Sequence, residues 1–359
     1  MKIIKILAVD TSFDETSVAI TYNDNIVANK ISSEIEVHKL SGGVIPSVAR
    51  RMHQEKIDLV VSQALKQAKI ELEDLDYFAV TYGPGLAIAL EVGIQKIEKL
   101  AEKYNKKIIA VNHMEGHIYS ALSHNSKGNP KIEYEFPLLA LLVSGGHTEI
   151  VLMKDHGVYE IIGRTLDDAV GEAFDKVGRM LEIGYPGGPM IEQIAKDGDE
   201  NSYSLPIPMT KTRNTDMSYS GLKTAVLYLT KKVFAEEMSP EARKKITCDI
   251  AASFQKTAID SLIVKTKIAL ENENKKGLII KDLILAGGVA ANQLLRRRFR
   301  NTFSPHQGGI NKNYRVHYPT NRKLYCDNAG MIGVAAYHNA LKGKFNTENP
   351  IERKPNLSL

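Results

Sequence analysis

The sequence predicts a duplicated α/β protein, and three observations carry that expectation. Each half opens with three short strand-like segments. The first segment of each half ends in a turn rich in hydroxyls or glycine. A helical stretch, a buried strand and a further helix then follow. Ile3 to Val9 is rich in β-branched residues and stops at Asp10-Thr11-Ser12, Ser17 to Tyr22 resumes, and Ile26 to Ile31 follows the turn Asn23-Asp24-Asn25. From Ser47 to Lys69 the apolar residues Val48, Met52, Ile57, Val60, Val61, Ala64, Leu65 and Ala68 recur at helical spacing. A strand at Tyr77 to Thr81, the break Gly83-Pro84-Gly85, a helix at Ala87 to Tyr104 and a strand at Lys107 to Val111 complete the first half. The second half repeats the pattern with strands at Leu138 to Val143, Thr148 to Lys154 and Val158 to Arg164. A mostly helical middle spans about Asp168 to Asn272, a strand runs from Asp282 to Ala286, and a helix starts near Ala291. The two halves are alike in element order and not in sequence. Such a duplication predicts a cleft between two lobes. A last helix, Asn328 to Leu341, precedes a polar, proline-containing tail expected to be loosely held.

Composition narrows the class of protein. At 359 residues the chain is long enough for two domains, and with 43% hydrophobic and 25% charged residues it can bury a sizeable core. Cys248 and Cys326 stand far apart with no C-x-x-C pair, which excludes a disulfide-stapled scaffold and a zinc ribbon. The longest apolar run, Phe136 to Val143, is far short of the ~18 residues of a membrane span. Asp10 interrupts the N-terminal apolar run before a signal-peptide core could form, so the protein is expected in the cytoplasm. The net charge of +5 is unevenly spread: −2 over residues 1 to 120, −7 over 121 to 210 and +14 over 211 to 359.

Several groups could carry chemistry. His113 and His117 in H-M-E-G-H fall at i and i+4, the spacing that lets two imidazoles share one metal ion. Metalloproteases use H-E-x-x-H; here Glu115 lies roughly 200° around a helix from His113, so a protease is an alternative that fails on position. The turns at Asp10-Thr11-Ser12, Ser144-Gly145-Gly146 and Gly287-Gly288 suit close approach of a phosphate and outline a nucleotide site. Asp168, Glu172 and Asp175 share one face of an expected helix, ahead of the rigid turn Tyr185-Pro186-Gly187-Gly188-Pro189. Arg296-Arg297-Arg298 lies in the +14 segment, which suits a partner with a phosphate backbone.

These motifs, taken in order, resemble the tRNA N6-adenosine threonylcarbamoyltransferases, once described as O-sialoglycoprotein endopeptidases. The resemblance runs through DTSFDETS (10 to 17), GGVIPSVARRMH (42 to 53), GPGL (83 to 86), VNHMEGH (111 to 117), LLVSGGHT (141 to 148), DDAVGEAFDKVGRML (167 to 181), YPGGP (185 to 189), SYSGLKT (218 to 224), AGGVAAN (286 to 292) and CDNAGMIG (326 to 333). It implies a duplicated actin-like ATPase fold of the ribonuclease H-like type. The lobes would be residues 1–130 and 131–326, with a helical insertion at about 180–275 in the second, a terminal helix at 327–345 and a tail at 346–359.

The implied activity is transfer of a threonylcarbamoyl group from threonylcarbamoyl-adenylate to N6 of adenosine 37, beside the anticodon of tRNAs that read codons beginning with A. The resemblance places metal ligands on His113, His117 and Asp327, with iron or zinc as the metal. The histidine spacing alone does not choose Asp327 over Asp10 or His147. Substrate contacts fall on Leu142, Val143, Ser144, Gly145, Gly146, Asp175, Gly188 and Asn292, and on Glu192 where many members have aspartate. Asp10 is the expected general base, Arg296, Arg297 and Arg298 the expected tRNA contacts. A paralogous TsaB-type subunit and a TsaE-type ATPase are the implied partners, and a small-molecule kinase or ATPase on the same fold is the other alternative. Among the departures, Asn112 stands where many members have histidine, and Glu91 where small or apolar residues are commoner.

Overall fold

The computed structural model describes residues 2–33, 43–209, 212–304, 314–348 and 350–359, so Gly42 of the GGVIPSVARRMH segment lies outside the described residues. The chain divides into two compact units. The first comprises residues 1–134, 154–159 and 317–359, and the second 135–153 and 160–316.

The first unit is built on β1 (Lys5–Asp10), β2 (Glu15–Tyr22) and β3 (Asn25–Ser33), joined antiparallel as a meander. Helix α1 (Pro46–Ala68) leads to β4 (Tyr77–Gly83), α2 (Ala87–Tyr104), β5 (Lys107–Asn112) and α3 (His113–Ser120), and β6 (His124–Asn125) adds an edge. The sheet order is β5-β4-β1-β2-β3-β6, with β1, β4 and β5 parallel. Ile6, Leu7, Ala8 and Val9 of β1 are fully buried. A central strand reads as a continuous apolar run because both of its faces are covered by helices.

The second unit repeats this plan with β7 (Leu138–Val143), β8 (Thr148–Asp155) and β9 (Val158–Arg164). The helices α4 (Val170–Met180), α5 (Gly187–Ile194), α6 (Ser220–Val233) and α7 (Pro240–Lys275) follow, then β10 (Asp282–Ala286), α8 (Gln293–Phe303) and β11 (Arg315–His317). Its sheet order, β11-β10-β7-β8-β9, reproduces the first five strands of the other sheet, and β10 again runs parallel to the first strand of its meander. The duplication expected from element order is therefore present in strand order and in the directions of β7, β8 and β10. The helical middle contains the 36-residue α7, longer than any single helix its sequence pattern marks out. Helix α9 (Ala329–Leu341) returns to the first unit and packs on β1, β2, β5 and α3.

The tail departs from expectation: it is held along its length. The amide of Lys354 donates to the carbonyl of Tyr82 at 2.7 Å, that of Gly85 to Pro355 at 3.1 Å, and Asn112 Nδ2 to the carbonyl of Ser358 at 3.0 Å. Ile351 is buried in the first unit's core and its amide donates to Glu98. Arg353 pairs with Glu91, so the acidic residue on α2 is the tail's anchor. A polar segment looks detached in sequence when its bonds go to backbone groups that composition does not reveal. Replacing Ile351 with alanine should therefore cost about 2–4 kcal/mol in chemical denaturation, the price of a core isoleucine and not of a surface one.

Candidate metal centre and nucleotide turns

Asn112 ends β5 and caps α3, its Oδ1 accepting from the amides of Met114 at 2.8 Å and Glu115 at 3.4 Å. The cap starts the helix at His113, and helical spacing then sets His117 one turn further on the same face. The rings lie 4.7 Å apart, nearly perpendicular. Asp327 sits just ahead of α9, whose N-cap Asn328 accepts from the amide of Met331. Its Oδ1 is 3.2 Å from Nε2 of His113 and 3.4 Å from Nε2 of His117.

Behind His113, Ser12 Oγ meets Nδ1 at 3.1 Å and Asp10 Oδ2 lies 3.5 Å away; Asp10 Oδ1 accepts from the amide of Ser12 at 3.1 Å. A ring nitrogen engaged at the rear fixes which nitrogen faces forward.

The residues fit a metal ion. Among the described residues, His117 has both ring nitrogens buried without a hydrogen-bond partner, and Asp10 Oδ2 is in the same state. One ligand atom from each of His113, His117 and Asp327 falls within 4.8 Å of the others. Tetrahedral bonds of ~2.0–2.2 Å place donors about 3.3–3.6 Å apart, close to the Nε2 to Oδ1 separations here. Glu115 faces elsewhere, accepting from Tyr159 at 2.8 Å and Asn339 at 3.2 Å, which leaves the protease reading without its base.

The second unit carries the other predicted groups. Ser144 and His147 close the turn after β7, the Ser144 amide donating to the His147 carbonyl at 2.8 Å and the His147 amide to Ser144 Oγ at 3.1 Å. Gly287, at φ +94, ends β10 against this turn, where a Cβ would sit 2.4 Å from the carbonyl oxygen of Val143. At Gly145, Gly146, Gly188 and Gly288 no atom lies within 4 Å of where a Cβ would be, so packing within the chain does not demand glycine there. Leu142 and Val143 are fully buried at the end of β7, where Leu142 pairs with both β8 and β10.

Asp175 Oδ1 accepts from the Gly187 amide at 2.7 Å; burial raises its pKa while the amides of Gly187 and Gly188 pull it down. Glu192 accepts from the Gln293 amide at 2.7 Å. Asn292 caps α8 through the Leu295 amide and donates to Gln255 at 2.7 Å.

A family profile described as TsaD, tRNA N6-adenosine threonylcarbamoyltransferase, matches residues 25–334. The proteins of that name from Clostridium beijerinckii and Thermosipho africanus are 44% and 41% identical over 357 and 354 residues. These alignments span 99% of this chain and 98% and 99% of the relatives.

The chain belongs to the tRNA N6-adenosine threonylcarbamoyltransferase family.

More distant solved structures show the fold that this member shares. HypF from T. kodakarensis superposes with a TM-score of 0.58 at 14% identity, covering 95% of this chain and 48% of that one. The (R)-2-hydroxyglutaryl-CoA dehydratase component A of Acidaminococcus fermentans superposes with 0.50 at 16% identity, covering 94% and 99%. The fold is the duplicated actin-like one that the sequence predicts. Among the described residues no helix is long and apolar enough to cross a membrane.

Not every group in this threonylcarbamoyltransferase family member lies where the pattern suggested. Asp168 precedes α4 and, with Glu172, pairs with Lys176; Asp167 caps the Ser218 to Ser220 segment. Of that acidic set, Asp175 alone turns to the glycine turn at 187 and 188. Arg298 Nη2 donates to both carboxylate oxygens of Glu200 at 2.8 Å and its Nη1 pairs with Asp260, whereas Arg297 is exposed. Sequence reasoning passed over two residues. Ser12 stood within a quoted motif, but its bond to His113 spans 101 positions. Gln255, mid-helix in α7, carries no local signal at all.

The electrostatics predict proton release on metal binding. Burial opposes charge on His113, but Asp327 and Asp10 outweigh it and raise its pKa to about 10 in the metal-free protein. Burial lowers that of His117, and the charge on His113 lowers it further. Burial pushes the Asp327 carboxyl up, yet the two imidazoles hold it well below the usual range. The raised His113 pKa stabilises the metal-free fold fully below pH 6.5, an effect lost as pH rises through about 10. Metal must displace that proton, so affinity should rise about tenfold per pH unit across the same window. Calorimetry at pH 7.5 in buffers of different ionisation enthalpy should count about one proton released per ion.

Proposed function

We propose that this chain transfers the threonylcarbamoyl group of threonylcarbamoyl-adenylate to N6 of the adenosine beside the anticodon in tRNA. The observation that carries the proposal is the convergence of His113, His117 and Asp327 in a chain that aligns from end to end with members of this family. In the reaction N6 attacks the carbamoyl carbon, a new N–C bond forms, the C–O bond to phosphate breaks, AMP leaves and the N6 proton passes to a base. An exocyclic adenine amine is a weak nucleophile, so the mixed anhydride supplies the activated carbonyl and the good leaving group.

The residues divide these tasks. The backbone of 142–146, with Asp175, Gly188, Glu192 and Asn292, holds the adenylate, and open space at Gly145, Gly146 and Gly188 supports that role. His113, His117 and Asp327 hold a divalent ion. When bound, it supplies Lewis-acid polarisation and a template for the donor's oxygens. Iron and zinc both suit two imidazoles and a carboxylate. Asp10, buried beside His113, is the base in this reading. The acceptor adenosine must leave its stack, which suits a single-stranded loop. Arg297, with Arg296 and Arg298 on the same helix, supplies positive charge for tRNA phosphates. A paralogous TsaB-type subunit and a TsaE-type ATPase complete the system in the cytoplasm.

Nucleoside analysis of tRNA incubated with the protein, its pathway partners, threonine, bicarbonate and ATP should reveal N6-threonylcarbamoyladenosine. His113→Ala should abolish both that product and metal retention; a fully active variant would remove the metal from the proposal. Arg297→Glu should weaken tRNA binding and reduce the slope of log affinity against log salt by about 1, and an unchanged slope would assign the side chain to ordinary solvated surface.

A further inference from the structure

His53 lies on α1 within the GGVIPSVARRMH segment, to which the proposed reaction assigns no part. It is completely buried, and its ring nitrogens are engaged by the turn between β1 and β2 and by the start of β2. Nδ1 is 2.8 Å from Thr16 Oγ1, and Nε2 is 3.1 Å from the carbonyl oxygen of Phe13. A carbonyl only accepts, so Nε2 carries a proton and donates it.

The same turn presents Ser12 Oγ to Nδ1 of His113. Its first limb is tied to α2, with Thr11 Oγ1 donating to the Ala89 carbonyl at 2.9 Å and the Leu86 amide donating to the Ser12 carbonyl at 2.8 Å. Phe13 itself is 40% exposed, so less of its surface is covered than that of the fully buried His53. His53 bonds the second limb at both Phe13 and Thr16.

We propose that His53 is a positioning residue for the metal triad: by clamping the carbonyl of Phe13 it keeps Ser12 Oγ on the rear nitrogen of His113, and so keeps Nε2 of His113 aimed at the ion. The inference rests on the reading of His113, His117 and Asp327 as a metal site. Partners behind a ligating histidine are worth about 10–100-fold in metal affinity, and His53 acts one bond further back through Ser12.

Competition of the full-length protein with a chromogenic chelator for Zn²⁺ tests this. His53→Leu, apolar and of similar bulk, should lower Zn²⁺ affinity about tenfold or more. His53→Gln, whose amide can still donate to Phe13, should stay within about threefold of the wild type, by the same measure of a rear partner's worth. Val61→Ala, a core substitution on the same helix, controls for general loosening and should keep wild-type affinity. Wild-type affinity in His53→Leu overturns the proposal, as does an equal loss in Val61→Ala. Should His53→Leu not fold, His53→Asn, which reaches Thr16 and not Phe13, takes its place, and an affinity equal to that of His53→Gln overturns the proposal. A wild-type protein that binds no Zn²⁺ or Fe²⁺ overturns the metal reading itself and the clamp with it, an outcome distinct from wild-type binding that His53 does not affect.

Discussion

The metal triad depends on how closely α9 approaches α3, and that approach depends on Gly116. A Cβ at Gly116 would fall 2.8 Å from Cδ1 of Ile332 and 3.1 Å from Cγ of Met331, so a side chain there would require those two side chains on α9 to give way. Asp327 stands immediately ahead of α9 and would move with it. Its oxygen is 3.2 and 3.4 Å from the two imidazole nitrogens, a spacing with little slack for a shared ion. A glycine that weakens a short helix in isolation is retained because the helix is stabilised by packing on every side. Glu115, one residue earlier, reinforces the same contact by joining α3 to Asn339 on α9 and to Tyr159.

Buried charge makes this arrangement costly without an ion. Asp10, His113 and His117 are buried in the first unit and Asp327 is partly buried beside them, and two ring nitrogens and a carboxylate oxygen there have no hydrogen-bond partner. Buried polar groups without partners cost free energy, and a cation that accepts the lone pair of one His117 nitrogen removes part of that cost. The second unit manages its polar groups differently. Its acidic and basic side chains largely satisfy one another, as in Lys176 with Asp168 and Glu172 and in Arg298 with Glu200 and Asp260. At the turn after β7, Gly145 and Gly146 are left exposed.

Much of this was legible because it is local. Alternating and helical periodicity marked the strands and helices that build both sheets, and β7, β9, β10 and α2 begin and end where the sequence places them. The histidine pair was legible for the same reason, since one helical turn is enough to bring its members together. Features without a periodic signature were missed. β6 has two residues and β11 three, too short to show a pattern. The tail's anchors are backbone hydrogen bonds, one buried isoleucine and an ion pair to α2, none of which makes a periodic pattern.

The sequence by itself determined the element order, the duplicated actin-like fold and, through its ordered motifs, the family and the residues proposed to act. Those properties follow from short-range patterning and from side-chain chemistry, which survive reading a chain in one dimension. Tertiary structure alone decided which polar groups meet. It selected Asp175 from an acidic set and committed its neighbours to lysines. It tied Arg298 to two carboxylates, brought Asp327 across more than two hundred residues to the histidines, and set Ser12 and His53 behind them. The physical reason is that a hydrogen bond or a metal ligand is specified by direction and distance in space, and the chain separation between partners carries no trace of either.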